Sequence, residues 1–211
     1  MGLPAFLSAL KTCLEGGELP GLDAQMRMAP QGRTPEAGSR DAGTIRYAAV
    51  LLVLFDERDP SILLIRRPDD GSTHSGELAF PGGGFEEGDV FPEGTALREA
   101  HEELGLKRQH LSVIGTLSPI FIPVSSYQVV PVVAWAETLA GVAPASDEVS
   151  EVLPVPLRVL RSAPVRRVFP TPSGEIVAPC WIIHDDRPDL PPLWGASAMA
   201  ASELIDACGE S

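Results

Sequence analysis

Residues 81–106 read PGGGFEEGDVFPEGTALREAHEELGL, and the architecture follows from this stretch. It opens on Gly82, Gly83 and Gly84, directly after the strand-like Glu77–Phe80. Glycine lets backbone approach another group closely and adopt conformations closed to other residues. No Gly-Lys-Ser/Thr follows, so this is not a phosphate-cradling P-loop. An acidic loop comes next, then Thr95–Leu104, a helical pattern with a Thr start and Gly105 as its stop. At about 100° per residue, Glu99, Glu102 and Glu103 share one arc, opposite Leu97, Ala100 and Leu104. Like charges at these spacings repel, so a purely structural helix would more often alternate signs. Mg²⁺ or Mn²⁺ would offset the repulsion, because oxygen-only ligation suits hard divalent cations.

The rest of the composition sharpens that local reading. The 211 residues carry a formal charge of −13, and eight acids against one base, Arg98, lie between Glu77 and Glu103. More than half of the net charge therefore sits in one short segment. A chain so acidic is no electrostatic binder of nucleic acid or anionic membrane, which need clustered Lys and Arg. Cys13, Cys180 and Cys208 are far apart and form no CxxC or Cys/His spacing. Neither a disulfide framework nor a zinc site is indicated, and a reducing cytoplasm is the expected location. The longest apolar run, Tyr47–Phe55, is nine residues, short of the about 20 a membrane helix needs. The N-terminus lacks the basic region of a secretory signal.

Outward from the glycines, short strands dominate: 45–55, 61–66, 77–80, 111–120, 127–136, 149–153 and 176–184, parted by turns such as Asp69-Asp70-Gly71 and Ser173-Gly174. Besides Thr95–Leu104, helical patterns cover 5–14, Pro156–Arg161 and the Ala-rich 196–208. Residues 15–44 are rich in Gly, Pro and polar groups, and read as a linker or an arm wrapping the domain. The division expected is an N-terminal helix and arm at 1–44 and one domain at 45–211. Strands around a central helix, with another helix at the end, suggest an α+β fold or an α/β/α sandwich.

At this point the residues resemble a known family. Gly83-(x5)-Asp89-(x8)-Arg98-Glu99-Ala100-His101-Glu102-Glu103-Leu104-Gly105-Leu106 looks like the Nudix box, with an intact REAxEExGL core. Asp89 replaces the usual Glu, and the following spacer has eight residues rather than seven. The resemblance implies a Nudix-like α/β/α sandwich with a mixed sheet and a catalytic loop–helix–loop. It also implies Glu99, Glu102 and Glu103 as metal ligands, one doubling as base, with Arg98 orienting a carboxylate. The longer spacer and the preceding segment resemble the coenzyme A pyrophosphatase branch, whose pattern is close to LLTxR[SA]-x3-R-x3-G-x3-FPGG. Leu63-Leu64-Ile65-Arg66-Arg67-Pro68, Gly76 and Phe80-Pro81-Gly82-Gly83 keep that spacing, while Ser72 stands where the branch has its second Arg. A cation at that position would meet phosphate, so Arg66 or Arg67 would compensate for it toward a small nucleotide substrate, and backbone carbonyls near Gly82–Gly83 would add to the metal's oxygen ligands. Weaker similarity extends over 45–208, through blocks such as Leu193–Ala198.

A general base is also required, and Glu102, Glu103 or the loop residue Glu148 could serve. Glu77 is a further candidate ligand. His74 and His101 read as side chains without a catalytic role, and Trp135, Trp181 and Trp194 as core or interface. Ser125-Ser126 has no recognisable His/Asp partner, which argues against serine nucleophile catalysis. The function expected is metal-dependent hydrolysis of a nucleoside diphosphate linked to another moiety, coenzyme A or a derivative first. ADP-ribose, another nucleotide derivative or a non-catalytic nucleotide sensor are the alternatives, and a homodimer is left open.

Overall fold

The computed structural model describes residues 6–34, 45–56, 58–71, 74–171 and 174–209. Expectations falling on residues 35–44, Ser72 and Ser173 lie outside them. The central strand is β1 (Arg46–Phe55). Its unbroken apolar run is what a strand covered on both faces needs. Ala49, Leu51 and Val53 face one layer, and Leu52 and Leu54 the other, all fully buried.

Around β1 a mixed sheet of eight strands assembles. It pairs in parallel with β7 (Tyr127–Ala136) and antiparallel with β2 (Ser61–Arg66). β2 also carries β3 (Leu78–Ala79) and β8 (Glu151–Pro156). β5 (Leu111–Thr116) and β6 (Ile120–Ile122) add antiparallel to β7. The short β4 (Gly82–Gly84) adds antiparallel to β1. A separate hairpin joins β9 (Val165–Thr171) to β10 (Gly174–Cys180).

Helices cover both faces. Helix α3 (Glu93–Leu104) lays Ala96, Leu97, Ala100 and Leu104 onto Ala49, Leu51, Val53, Leu63 and Ile65. On the opposite face, α1 (Phe6–Gly16) and α5 (Gly195–Ala207) bring Leu7, Leu10, Met199 and Leu204 to Leu52, Leu54 and Leu64. The fold is the α/β/α sandwich with a mixed sheet. Among the described residues, no helix is long and apolar enough to cross a membrane.

Four local readings change. The strand expected at 111–120 is two strands, because Pro119 has no amide to continue a ladder. The strand expected at 149–153 runs 151–156 and contains Pro154 and Pro156. That is tolerated because β8 is an edge strand bonded only to β2. The β9 strand was hidden by two arginines and Pro170 in a segment with little apolar alternation. Finally, the stretch read as a linker or a wrapping arm holds α2 (Gly21–Met26), whose Ala24 is buried along with Met28 just beyond it. Six residues are too few to show periodicity, and α2 is held by tertiary bonds. Gly21 N–H (3.2 Å) and Gln25 Nε2 (2.8 Å) donate to the carboxylate of fully buried Glu203 on α5, as does Ser118 N–H (3.0 Å).

Candidate active site

The run Gly82–Gly84 is not a free turn but β4, with Ala49 opposite Gly83 and Val50 opposite Gly82. Its glycines are required by what lies against them. A Cβ on Gly82 would strike the Ala49 carbonyl and come 2.6 Å from Val50 Cα, and Gly82 has φ 152°. A Cβ on Gly83 would run into the Glu99 carboxylate. The bare strand thus lets α3 lie low enough for two carboxylates to reach the sheet.

Glu103 is 3% exposed, and its Oε2 accepts the Gly82 N–H at 3.0 Å. Burial pushes its carboxyl up from the usual 4.5 to about 7. Glu99 and Glu148 push the same way, against the Gly82 N–H and Arg67. Glu99 is raised too, first by burial and then by Glu102 and Glu148, with Arg98 opposing. In both groups burial leads, with the neighbouring carboxylates adding to it.

Arg98 organises the other side. Its Nε lies 3.2 Å from Asp89 Oδ1, Nη1 3.0 Å from Glu102 Oε2, and Nη2 2.9 Å from Gly84 O and 3.1 Å from Glu99 Oε1. Asp89 also accepts the Glu86 N–H and the Thr95 hydroxyl, at 3.1 and 2.9 Å, which closes the acidic loop onto the start of α3. Chiefly through Arg98, Asp89 is held at about 2.

The shared arc read from the sequence does not open as one face. Glu99 and Glu103 turn toward β4, while the Glu102 side chain is 54% exposed and held by Arg98. Among the described residues, no three His, Cys, Asp or Glu side chains form a ready-made metal cluster. Glu148 sits in an exposed turn yet acts on both Glu99 and Glu103. Its loop is tied to the end of α3 by Ala145 N–H to Glu103 O (2.8 Å) and Ala143 N–H to Leu104 O (3.3 Å).

The two candidate arginines part company. Arg66 lies 3.7 Å from Asp189, itself forked by Arg187. Arg67 acts on Glu103 and on His74. Glu77 is engaged by His74, Nδ1 to Oε2 at 2.9 Å. His101 spends its Nδ1 on Leu106 O, 3.1 Å away at the helix end. Trp181 is 5% exposed. Sequence reasoning missed the wall that Trp194–Ser197 places beside Arg67 and His74; its only trace was the Leu193–Ala198 block.

Carboxylate oxygens are the donors a hard divalent cation takes, and Glu99, Glu102 and Glu103 supply them from one helix. An acidic loop–helix–loop seated on the mixed sheet of an α/β/α sandwich is the Nudix arrangement. The chain belongs to the NUDIX domain family, whose profile matches residues 45–186. A protein described as uncharacterized Nudix hydrolase NudL from Pectobacterium atrosepticum is 40% identical over 112 residues, 53% of this chain and 58% of that one. Its namesake in Escherichia coli K12 is 37% identical over 119 residues, 56% and 62% of the two chains. The chain thus matches about three-fifths of the length of these relatives. The crystal structure of the MutT protein from Methanosarcina mazei Go1 shares the fold, with TM-score 0.52 and 18% identity over 82% of this chain and all of that one.

Proposed function

We propose that the protein is a metal-dependent hydrolase of a nucleoside diphosphate linked to another moiety, with coenzyme A or a derivative as substrate. The products would be 3′,5′-ADP and 4′-phosphopantetheine, released in a reducing cytoplasm. The carrying observation is the pair Glu99 and Glu103 seated on side-chain-free β4, with Glu148 adding to their repulsion. The family membership and the branch-like segment 63–83 support the same reading.

Glu99, Glu103 and, once turned from Arg98, Glu102 would hold Mg²⁺ or Mn²⁺, with the Gly82–Gly83 backbone alongside. Such an ion neutralises phosphate oxygens and lowers the pKa of a bound water. The chain's own groups do the rest. Arg98 keeps Glu99 and Glu102 oriented and ties them to Gly84. Arg67 offers a cation to the incoming phosphates. Glu102, Glu103 or Glu148 would take a proton from the attacking water.

Incubation with coenzyme A and Mg²⁺, followed by mass identification of products, tests the reading. The expected products are 3′,5′-ADP and 4′-phosphopantetheine. Cleavage of ADP-ribose but not coenzyme A would keep the hydrolase and overturn the substrate. No hydrolysis of coenzyme A, ADP-ribose, NADH or dNTPs would overturn the enzyme.

A further inference from the structure

The hairpin forms a sheet of its own, in which β9 is bonded to β10 alone. Its register sets Val168 opposite Val177, Arg166 opposite Pro179 and Pro170 opposite Glu175. Val177 O accepts the Gln31 N–H at 2.8 Å, so the main-chain groups of Val177 point away from β9. In an antiparallel pair, opposite residues either exchange both their bonds or turn both outward. Val168 therefore turns its N–H and C=O to the free side of β9, and Arg166 and Pro170, two residues either way, do the same. The two prolines of the ladder agree with this phase. Pro170 and Pro179 both fall at outward positions, where the ladder needs no N–H.

This edge is bare. Val168 is 56% exposed, and Arg166 and Arg167 are exposed beside it. Among the described residues, neither arginine has an ion-pair partner, and the Arg166 and Val168 amides have no acceptor.

A free edge is a template for another strand, and natural chains guard it with charge, proline or a bulge. Here the guards are complementary to themselves. Consider β9 laid antiparallel against a second copy of β9, with the twofold axis at Val168. Opposite residues share a face, so one row runs Val177, Val168, the partner's Val168 and the partner's Val177. In the next row Pro170 has Glu175 on one side and the partner's Arg166 on the other. Glu175 and that arginine stand two strands apart, about 10 Å between backbones, and their long side chains can meet over the proline ring. Symmetry repeats this pair. Arg167 falls opposite Phe169, not opposite another charge. Centring the pair on Arg167 instead would set two like charges directly opposite, which destabilises. Every outward donor is used: Val168 N–H bonds the partner's Val168 O, and Arg166 N–H bonds the partner's Pro170 O, each twice.

We propose that β9 is the interface of a homodimer, in which two hairpins join as one four-stranded antiparallel sheet. The contact is isologous, each copy presenting the same strand. It goes beyond the hydrolase reading and draws on none of that site's residues.

The test is the oligomeric state of the full chain, followed by sedimentation velocity from micromolar to near-millimolar protein. A reversible doubling of mass is expected. Val168→Pro deletes an N–H that the β9–β10 ladder does not use, so the hairpin stays paired while each dimer loses two bonds. Dimer affinity should fall at least about tenfold. Glu175→Arg should weaken the dimer too, and adding Arg166→Glu to it should restore the affinity. Hydrogen exchange gives a readout without substitution. The Arg166 and Val168 amides should slow as protein concentration rises, while those of Arg167 and Phe169, already bonded to β10, should not change. A chain that stays monomeric throughout overturns the proposal and leaves the edge to a different strand. So does a dimer indifferent to Val168→Pro, a double charge variant no tighter than Glu175→Arg, or exchange at 166 and 168 that ignores concentration.

Discussion

Replacing Glu103 by Gln should stabilise the metal-free protein at neutral and alkaline pH, and leave it almost unchanged near pH 4. In the folded chain the carboxyl is buried and titrates at about 7, against the usual 4.5. Between those values the folded state holds a proton that the unfolded chain has released, so stability falls as pH rises. Above pH 7 both states are ionised and the loss is complete. A gap of about 2.5 units at 1.36 kcal/mol each amounts to roughly 3 kcal/mol. Gln reproduces the protonated form, keeping an oxygen for the Gly82 N–H, and has nothing to ionise. For a chain of this size, Tm should rise by about 6–12 °C at pH 8 in chelator. Calorimetry or fluorescence melts at pH 4, 6 and 8, with EDTA and then with millimolar Mn²⁺, would measure it. Added metal should raise the wild-type Tm and narrow the gap, since a ligand bound only by the native state stabilises it. A Gln variant less stable than wild type at pH 8 in chelator, or an effect independent of pH, would refute the reasoning.

Three further outcomes follow from neighbouring contacts. Gly83→Ala should displace the Glu99 carboxylate, and calorimetric Mn²⁺ titration should show affinity at least about tenfold weaker. Arg98→Gln should release Asp89 from about 2 toward its usual 3.8, so that carboxyl-carbon NMR records the rise; an unmoved Asp89 would mean that Arg98 is not its controlling partner. Glu203→Ala removes the acceptor shared by Gly21, Gln25 and Ser118. Leaving those donors unsatisfied should cost about 2–5 kcal/mol in urea denaturation, and faster proteolysis near α2 would show the N-terminal segment loosening.

The two halves of the 81–106 segment differ in how legible they were. Helix α3 could be read directly, because its apolar stripe at 97, 100 and 104 and its Gly105 stop are local signals. The same periodicity placed three glutamates on one arc but could not say that two of them are covered. That depends on β4, and a glycine triplet carries no strand signal of its own. Likewise β1 announced itself as a doubly buried strand through an unbroken apolar run. The parallel partner β7 and the edge position of β8 became visible only in the sheet.

While the sandwich was what the family resemblance implied, the sequence by itself determined the acidic loop and helix, the set of carboxylates and the Arg98 beside them. These depend on spacing along a single element, where helical and strand periods act within a few residues. The tertiary structure alone decided that Glu99 and Glu103 lie against Gly82–Gly83, that Glu102 belongs to Arg98, and that Arg66 is spent on Asp189 while Arg67 is not. It also decided that Trp194 and Ser197, more than a hundred residues beyond Arg67, wall the same cavity. Burial and charge coupling depend on which segments meet across the fold, and no local pattern records that.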